Sequence, residues 1–403
     1  MAVGLNPEPT MRPVPGVRLG TAAAGIKKPD HRDLVLMELA PGTRVTAVFT
    51  RNRFCAAPVH VARDHLATGA PRYLLINTGN ANAGTGERGL RDARTCCEAV
   101  ARHAEVSPQA VVPFSTGVIG EPLPADRIAA AVPAALEALA ADGWAAAAPA
   151  ILTTDTVPKG TSRTVPLDGG EVVLTGMAKG AGMIRPDMAT MLAFIATDAE
   201  VTQGQLDRLL PDAARTSFNR ITIDGDTSTN DACVLAATGA SGVAVASEAD
   251  AERFLAALRD LCAELAQAIV RDGEGATRFI TIDVEGGRSE AEAEAVGFTI
   301  AQSPLVKTAF FAGDPNWGRI LAAIGRAGVD DMDVDRVAIW LDDLRIAANG
   351  GRAEDYREAD AAERMGRDEV TVTVELGRGN ASARVWTCDF SYEYVRINAE
   401  YRT

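Results

Sequence analysis

No strand–helix–strand unit recurs along the 403 residues of this chain, and that irregularity constrains the fold more than any other feature. Parallel sheets wound with crossover helices alternate regularly. Here short apolar runs read as strands at Val45–Thr50, Tyr73–Asn77, Val172–Thr175, Ile221–Gly225 and Ile280–Val284. Another, Val111–Gly120, breaks at Thr116-Gly117, and Ala338–Leu341, Glu369–Leu376 and Ala383–Ile397 close the chain as strands. The whole stretch up to Gly120 reads as strands and turns, with an Asn/Gly-rich tight turn after Ile76 that needs positive φ. Apolar spacing of three and four predicts one kinked helix or two short ones over Pro124–Ala148, interrupted by Pro133. Further helices are predicted from Thr202, an N-cap type residue, to about Ser217, over Ala249–Arg271 and over Trp317–Arg326. No linker, repeat or low-complexity segment divides the chain. The expectation is an α+β fold built in layers, not a doubly wound one.

Net charge is −14, from 40 basic and 54 acidic residues. The acidic runs Glu248–Glu264, Glu285–Glu294 and Asp330–Asp343 read as solvated surface, and no basic patch suggests a nucleic-acid partner. No stretch approaches the ~18 consecutive apolar residues of a membrane span. Residues Met1 to Gly20 lack the basic-then-apolar pattern of a secretion signal, so a cytoplasmic location is expected. The 6 cysteines show no ligand or redox spacing, which predicts buried reduced thiols and neither a metal nor a cofactor. The 4 histidines, His31, His60, His65 and His103, all lie early in the chain. A catalytic base from the later half therefore cannot be a histidine.

The segment Gly176–Asp198 carries the chemistry. Its glycines and Pro186 lead to the apolar run Met191–Ala196, with a threonine at the junction after Asp187-Met188-Ala189. On pattern alone this is a Gly-rich turn feeding a buried strand. The same residues resemble the signature of the ornithine acetyltransferase family, the glutamate N-acetyltransferases of arginine synthesis. Every defined position of Gly-Met-Ala-Lys-Gly-x-Gly-Met-Ile-x-Pro-x-Met-Ala-Thr-Met-Leu-Ala-Phe is present, the variable ones holding Ala181, Arg185 and Asp187. Arg185 and Asp187 stand where Ala or His, and Asn, are more usual in the family, so their effect on self-cleavage is open. The resemblance extends through Pro13–Arg18, Ala24–Lys28 and Asn77–Ala83, although Gly84 replaces a common cysteine. It continues through Asp224–Asp231, Asp272–Thr277, Gly313–Arg319 and Ile397–Thr403.

That resemblance implies a layered sandwich of the β-aminopeptidase and ornithine acetyltransferase type. It implies self-cleavage between Ala189 and Thr190, giving an α fragment of residues 1–189 and a β fragment of residues 190–403 that form one catalytic unit, assembled as an α2β2 heterotetramer. The substrates are then N2-acetylornithine and glutamate; whether acetyl-CoA also donates is left open. Thr190 becomes the nucleophile and Thr116 and Gly117 the oxyanion site, while Thr153, Lys179, Thr190, Glu274, Asn398 and Thr403 contact substrate. The residue types suit this chemistry. Only Ser, Thr or Cys can attack the preceding carbonyl by an N→O shift, and the freed α-amine, with an ordinary pKa of about 8, can serve as base for its own hydroxyl. Two other readings stand beside it: a self-cleaving amidase or aminopeptidase, whose nucleophile is usually a serine, and a degenerate binding scaffold, against which the intact Thr190, Lys179, Thr116 and Glu274 argue.

Overall fold

The computed structural model describes residues 2–28, 31–185 and 191–400. Its strands form three sheets of four, five and six strands. In the N-terminal sheet, Val17–Ala22, Leu34–Leu39, Tyr73–Asn80 and Val111–Val118 lie side by side in that order, the last pair parallel and the others antiparallel. The central sheet runs Arg44–Phe49, Ala232–Ala237, Leu192–Thr197, Gly170–Lys179, Lys159–Leu167, with only Ala232–Ala237 and Leu192–Thr197 parallel.

These two sheets pack face to face, and the two-residue strand period sorts their side chains into separate cores. Val35 and Met37 point inward with Met177, Phe194 and Val234 of the central sheet, whereas Leu34 and Leu36 point outward. Phe114 meets Phe194 edge to face across the interface, ring centroids 5.1 Å apart. Helices Gly86–Ala104 and Ala125–Glu137 cover the outer face of the N-terminal sheet, and Gln203–Arg215 and Glu248–Arg271 cover that of the central sheet. The result is helix, sheet, sheet, helix: the layered α+β architecture expected. The C-terminal sheet, centred on Phe279–Gly287 and Glu369–Glu375, carries helices Glu290–Ala301, Pro304–Ala312, Trp317–Gly325 and Glu358–Met365 around a core of its own.

Several local expectations hold for physical reasons. Thr202 caps its helix with a reciprocal bond pair to Gln205, and Ser247 does the same with Asp250. All six cysteines are free thiols, five of them buried. Others need correction. The region read as strands and turns contains helices Ala57–Thr68 and Gly86–Ala104. In the second, the buried stripe is Ala93, Cys96, Cys97 and Val100 among arginines and glutamates, a thin apolar signal. Of the two readings of Pro124–Ala148, two helices form, but Pro133 lies inside the first, Ala125–Glu137, instead of dividing them. Ile221–Gly225 reduces to a single bridge between Ile221 and Trp386. The last strand ends at Cys388, and Tyr392–Glu400 is a helix, opened by Ser391, whose hydroxyl accepts from the Glu393 N–H at 3.2 Å.

Candidate active site

The strand Val111–Val118 does not end at Thr116-Gly117, as the sequence suggested; it runs on with a bulge in its partner, where Asn80 faces both Thr116 and Val118. Gly117 adopts φ +134° and packs so closely that a Cβ there would sit 2.3 Å from the Gly79 carbonyl carbon. Only glycine fits there, while Thr116 stays in the ladder opposite Thr78 and Asn80 at the irregularity. Behind it, Ser115 donates to Asn77 Oδ1 at 2.6 Å, and Asn230 donates to the carbonyls of Ser115 (3.0 Å) and Ala81 (2.6 Å). The Asn-rich turn is thus scaffolding for the bulge.

Lys179 ends the central strand Gly170–Lys179 and is buried, at 7% exposure. Its Nζ donates to Thr153 Oγ1 at 2.8 Å and to Thr116 Oγ1 at 3.3 Å. Three expected site residues from three distant segments therefore meet at one ammonium. Burial lowers the Lys179 pKa, opposed chiefly by Asp155. Thr153 follows helix Trp144–Ala150, and its loop is held by Lys27 Nζ, which donates to the carbonyls of Thr153 (2.6 Å) and Leu152 (3.2 Å).

A second pair lies alongside. Asn398, on the terminal helix, donates to Glu274 Oε2 at 2.7 Å. Glu274 donates its own N–H to Ala181 at 2.8 Å, in the segment just past Lys179. A Cβ on Gly182 would lie 2.4 Å from the Glu274 carboxyl carbon, so a side chain there would push the Glu274 carboxylate aside. Ser391 anchors the start of the terminal helix through the carbonyl of Gly275.

Residues Ala189, Thr190, Asp187 and Thr403 lie outside the described residues. The chain on either side of 186–190 is tightly held. Asp224 accepts from the backbone of Met183 (2.6 Å) and Ile184 (2.9 Å). On the other side, Ala232 N–H binds the Met191 carbonyl at 2.9 Å. Asp231, next to it, is 2% exposed, and burial pushes its carboxyl well above the carboxylate range. The Arg185 guanidinium sits 5.2 Å from the centre of the Phe298 ring.

Beneath both pairs runs a buried ionic chain that residue-by-residue reading missed. Lys159 Nζ lies 2.7 Å from Asp155 and 2.7 Å from Asp272. Lys27, Asn230, Asp224 and Asp231 were likewise unassigned. Asp272, Asp224, Asn230 and Asp231 fall in Asp- and Gly-rich motifs, which is the only signal that marked them. Among the described residues, no group of three or more His, Cys, Asp or Glu could hold a metal ion. No helix described is long and apolar enough to cross a membrane.

The site is a polar arrangement of two threonine hydroxyls, a buried cation and a carboxylate–carboxamide pair, set at the junction of two packed sheets. The ArgJ family model matches residues 18–403, and the chain belongs to that family. Its similar relatives include the arginine biosynthesis bifunctional protein ArgJ of Methylococcus capsulatus, 61% identical over 97% of this chain and 96% of its own length. That of Pseudomonas syringae pv. tomato is 56% identical over the full length of both. The solved structure of the Bacillus halodurans ArgJ protein, 39% identical, aligns with 51% of this chain and 96% of its own at a TM-score of 0.48.

Proposed function

We propose that this protein transfers the acetyl group of N2-acetylornithine to glutamate, through an acetyl ester on Thr190, after cutting itself between Ala189 and Thr190. The observation that carries the reading is the Lys179 ammonium held between the hydroxyls of Thr116 and Thr153. In this reading Thr190 attacks the acetyl carbon with its own α-amine as base, and the tetrahedral oxyanion forms beside the bulge at Thr116-Gly117. A single well-placed donor there is worth about 3–4 kcal/mol. Ornithine leaves, and the amine of glutamate takes the acetyl group. Both substrates carry an α-carboxylate, which Lys179 anchors in a chain whose net charge of −14 would otherwise repel it. Glu274, oriented by Asn398, receives the ornithine side-chain ammonium. Thr403 completes the substrate contacts.

The relatives' name, arginine biosynthesis bifunctional protein, supports acetyl-CoA as a second donor to glutamate. The fragments 1–189 and 190–403 stay together and pair into an α2β2 heterotetramer in the cytoplasm. Mass spectrometry under denaturing conditions tests the cut: two fragments meeting at Ala189/Thr190 are expected, and an intact chain in active material would refute the nucleophile. Thr190→Ala is expected to lose both cleavage and transfer. Transfer to glutamate far exceeding hydrolysis separates this reading from an amidase.

A further inference from the structure

The residues proposed to hold substrate come from separate turns, and one buried set of charges ties those turns together. Asp155 Oδ2 accepts from the Thr153 N–H at 3.0 Å, and its Oδ1 accepts from the N–H of Gly180, next to Lys179, at 2.6 Å. A single carboxylate thus holds the backbone beside both residues of the Lys179–Thr153 contact. Lys159 Nζ binds Asp155 at 2.7 Å and Asp272 at 2.7 Å, and its side chain is fully buried. Asp272 in turn accepts from the backbone of Thr156 (2.9 Å) and Val157 (3.3 Å) and from the Thr156 hydroxyl, and it lies two residues before Glu274. The chain of contacts therefore runs from the Thr153 loop through Asp155, Lys159 and Asp272 to the Glu274 turn.

Two buried aspartates and the ammoniums of Lys159 and Lys179 make an electrically balanced set away from water. The other charged groups that act on Lys179 are Asp231 and Glu274, and its positive charge is felt at Lys27. Asp155 has the largest favourable effect on Lys179 of these. We propose that Asp155, braced by Lys159 and Asp272, is a positioning residue of the carboxylate anchor, holding Lys179 charged and in register with Thr153. This rests on the reading above that Lys179 binds the substrate α-carboxylate.

The variant Asp155→Asn tests it. The carboxamide keeps the volume and one acceptor oxygen, but removes the charge and places an amino group against the Thr153 N–H. In fully processed enzyme, the KM for N-acetylornithine is expected to rise about tenfold or more, with a smaller change in kcat. That KM should begin to climb at a lower pH than in the parent enzyme, because Lys179 loses its proton sooner. N-acetylputrescine, which lacks the α-carboxylate, gives the control: Asp155→Asn should leave its kinetics within about twofold of the parent. A merely structural role would weaken both substrates alike. If Asp155→Asn is insoluble, Asp155→Ser, which removes the same carboxylate without touching the Glu274 turn, takes its place, with the same split between substrates expected. An unchanged KM for N-acetylornithine, or equal losses on both substrates, overturns the proposal. If the parent enzyme itself fails to prefer N-acetylornithine over N-acetylputrescine, the anchor role of Lys179 is what falls.

Discussion

At the scale of single residues, the site depends on one that has no side chain. Gly117 has both a positive φ and a backbone neighbour where a Cβ would be. Gly117→Ala should therefore cost about 1–3 kcal/mol of backbone strain. Its effect on transfer should be larger, about 10²–10³-fold in kcat, if the displaced strand carries the oxyanion donors as proposed. A thermal melt beside a kcat measurement checks this; a normal kcat in a destabilised variant would mean that the bulge is only structural. Both Lys179 and Asp155 have lowered pKa values, so both make the fold more stable as pH rises, each in its own pH range. The lowered Lys179 pKa means that the unfolded chain holds this proton more tightly. Its burial therefore costs stability at neutral pH, a cost relieved as pH rises through the folded pKa. Asp155 is held low: burial alone would raise it, but Lys159 and Lys179 outweigh that. Its contribution is present above the ordinary carboxylate pKa and is lost as pH falls through the folded value. Asp155→Asn should consequently flatten the acid side of the stability curve, measured by denaturant midpoint between about pH 5 and pH 2.

At the scale of elements, the terminal helix Tyr392–Glu400 stands apart. It has no fully buried residue, and Tyr392 and Val395 are largely exposed. Its ties include the Asn398–Glu274 bond, the Ser391 anchor, Tyr394 stacked on Phe390 with centroids 4.4 Å apart and Tyr392 edge to face with Phe311 at 5.4 Å. A chain ending after Ser391 is expected to fold, with a melting temperature within a few degrees of the parent, since little apolar area is lost. Its KM for N-acetylornithine should rise well over tenfold, because Glu274 loses its orienting amide. Calorimetry and steady-state kinetics on that truncated chain decide the matter, and cooperative unfolding at a much lower temperature would show the helix to be part of the fold. This helix was also the element least legible in the sequence. Residues 383–397 alternate like a strand, but the strand ends at Cys388 and the Ser391 hydroxyl accepts from the Glu393 N–H at 3.2 Å where the helix begins. Thr202 and Ser247 announce their helices through reciprocal capping boxes with a residue three positions on.

At the scale of the molecule, two sheets share one core, and Phe194 is fully buried within it against Phe114. Phe194→Ala should destabilise the protein by about 3–5 kcal/mol, because the cavity opens between sheets that cannot close toward each other. Chemical denaturation measures it, and a cost below about 1 kcal/mol would mean that the sheets do not share a core. The same packing brings the site together: Thr116 belongs to one sheet and Lys179 to the other, so their contact exists only when the layers are assembled.

The sequence by itself determined the local pieces. These are the Gly-rich segment into Met191–Ala196, the capped helices, the irregular order that excludes a doubly wound sheet, and the motif residues Thr116, Thr153, Lys179, Glu274 and Asn398. The caps and the strand order follow from residue type and close neighbours, whereas the motif residues were marked by the resemblance to the ornithine acetyltransferase family. Only the tertiary structure decided that Thr116 sits on a bulge, that Lys179 reaches two hydroxyls, and that Asp155, Lys159 and Asp272 bind three turns into one support. A buried ion pair between residues 159 and 272 leaves no periodic trace in the chain, because what makes it necessary is the exclusion of water by layers that meet only in the folded molecule.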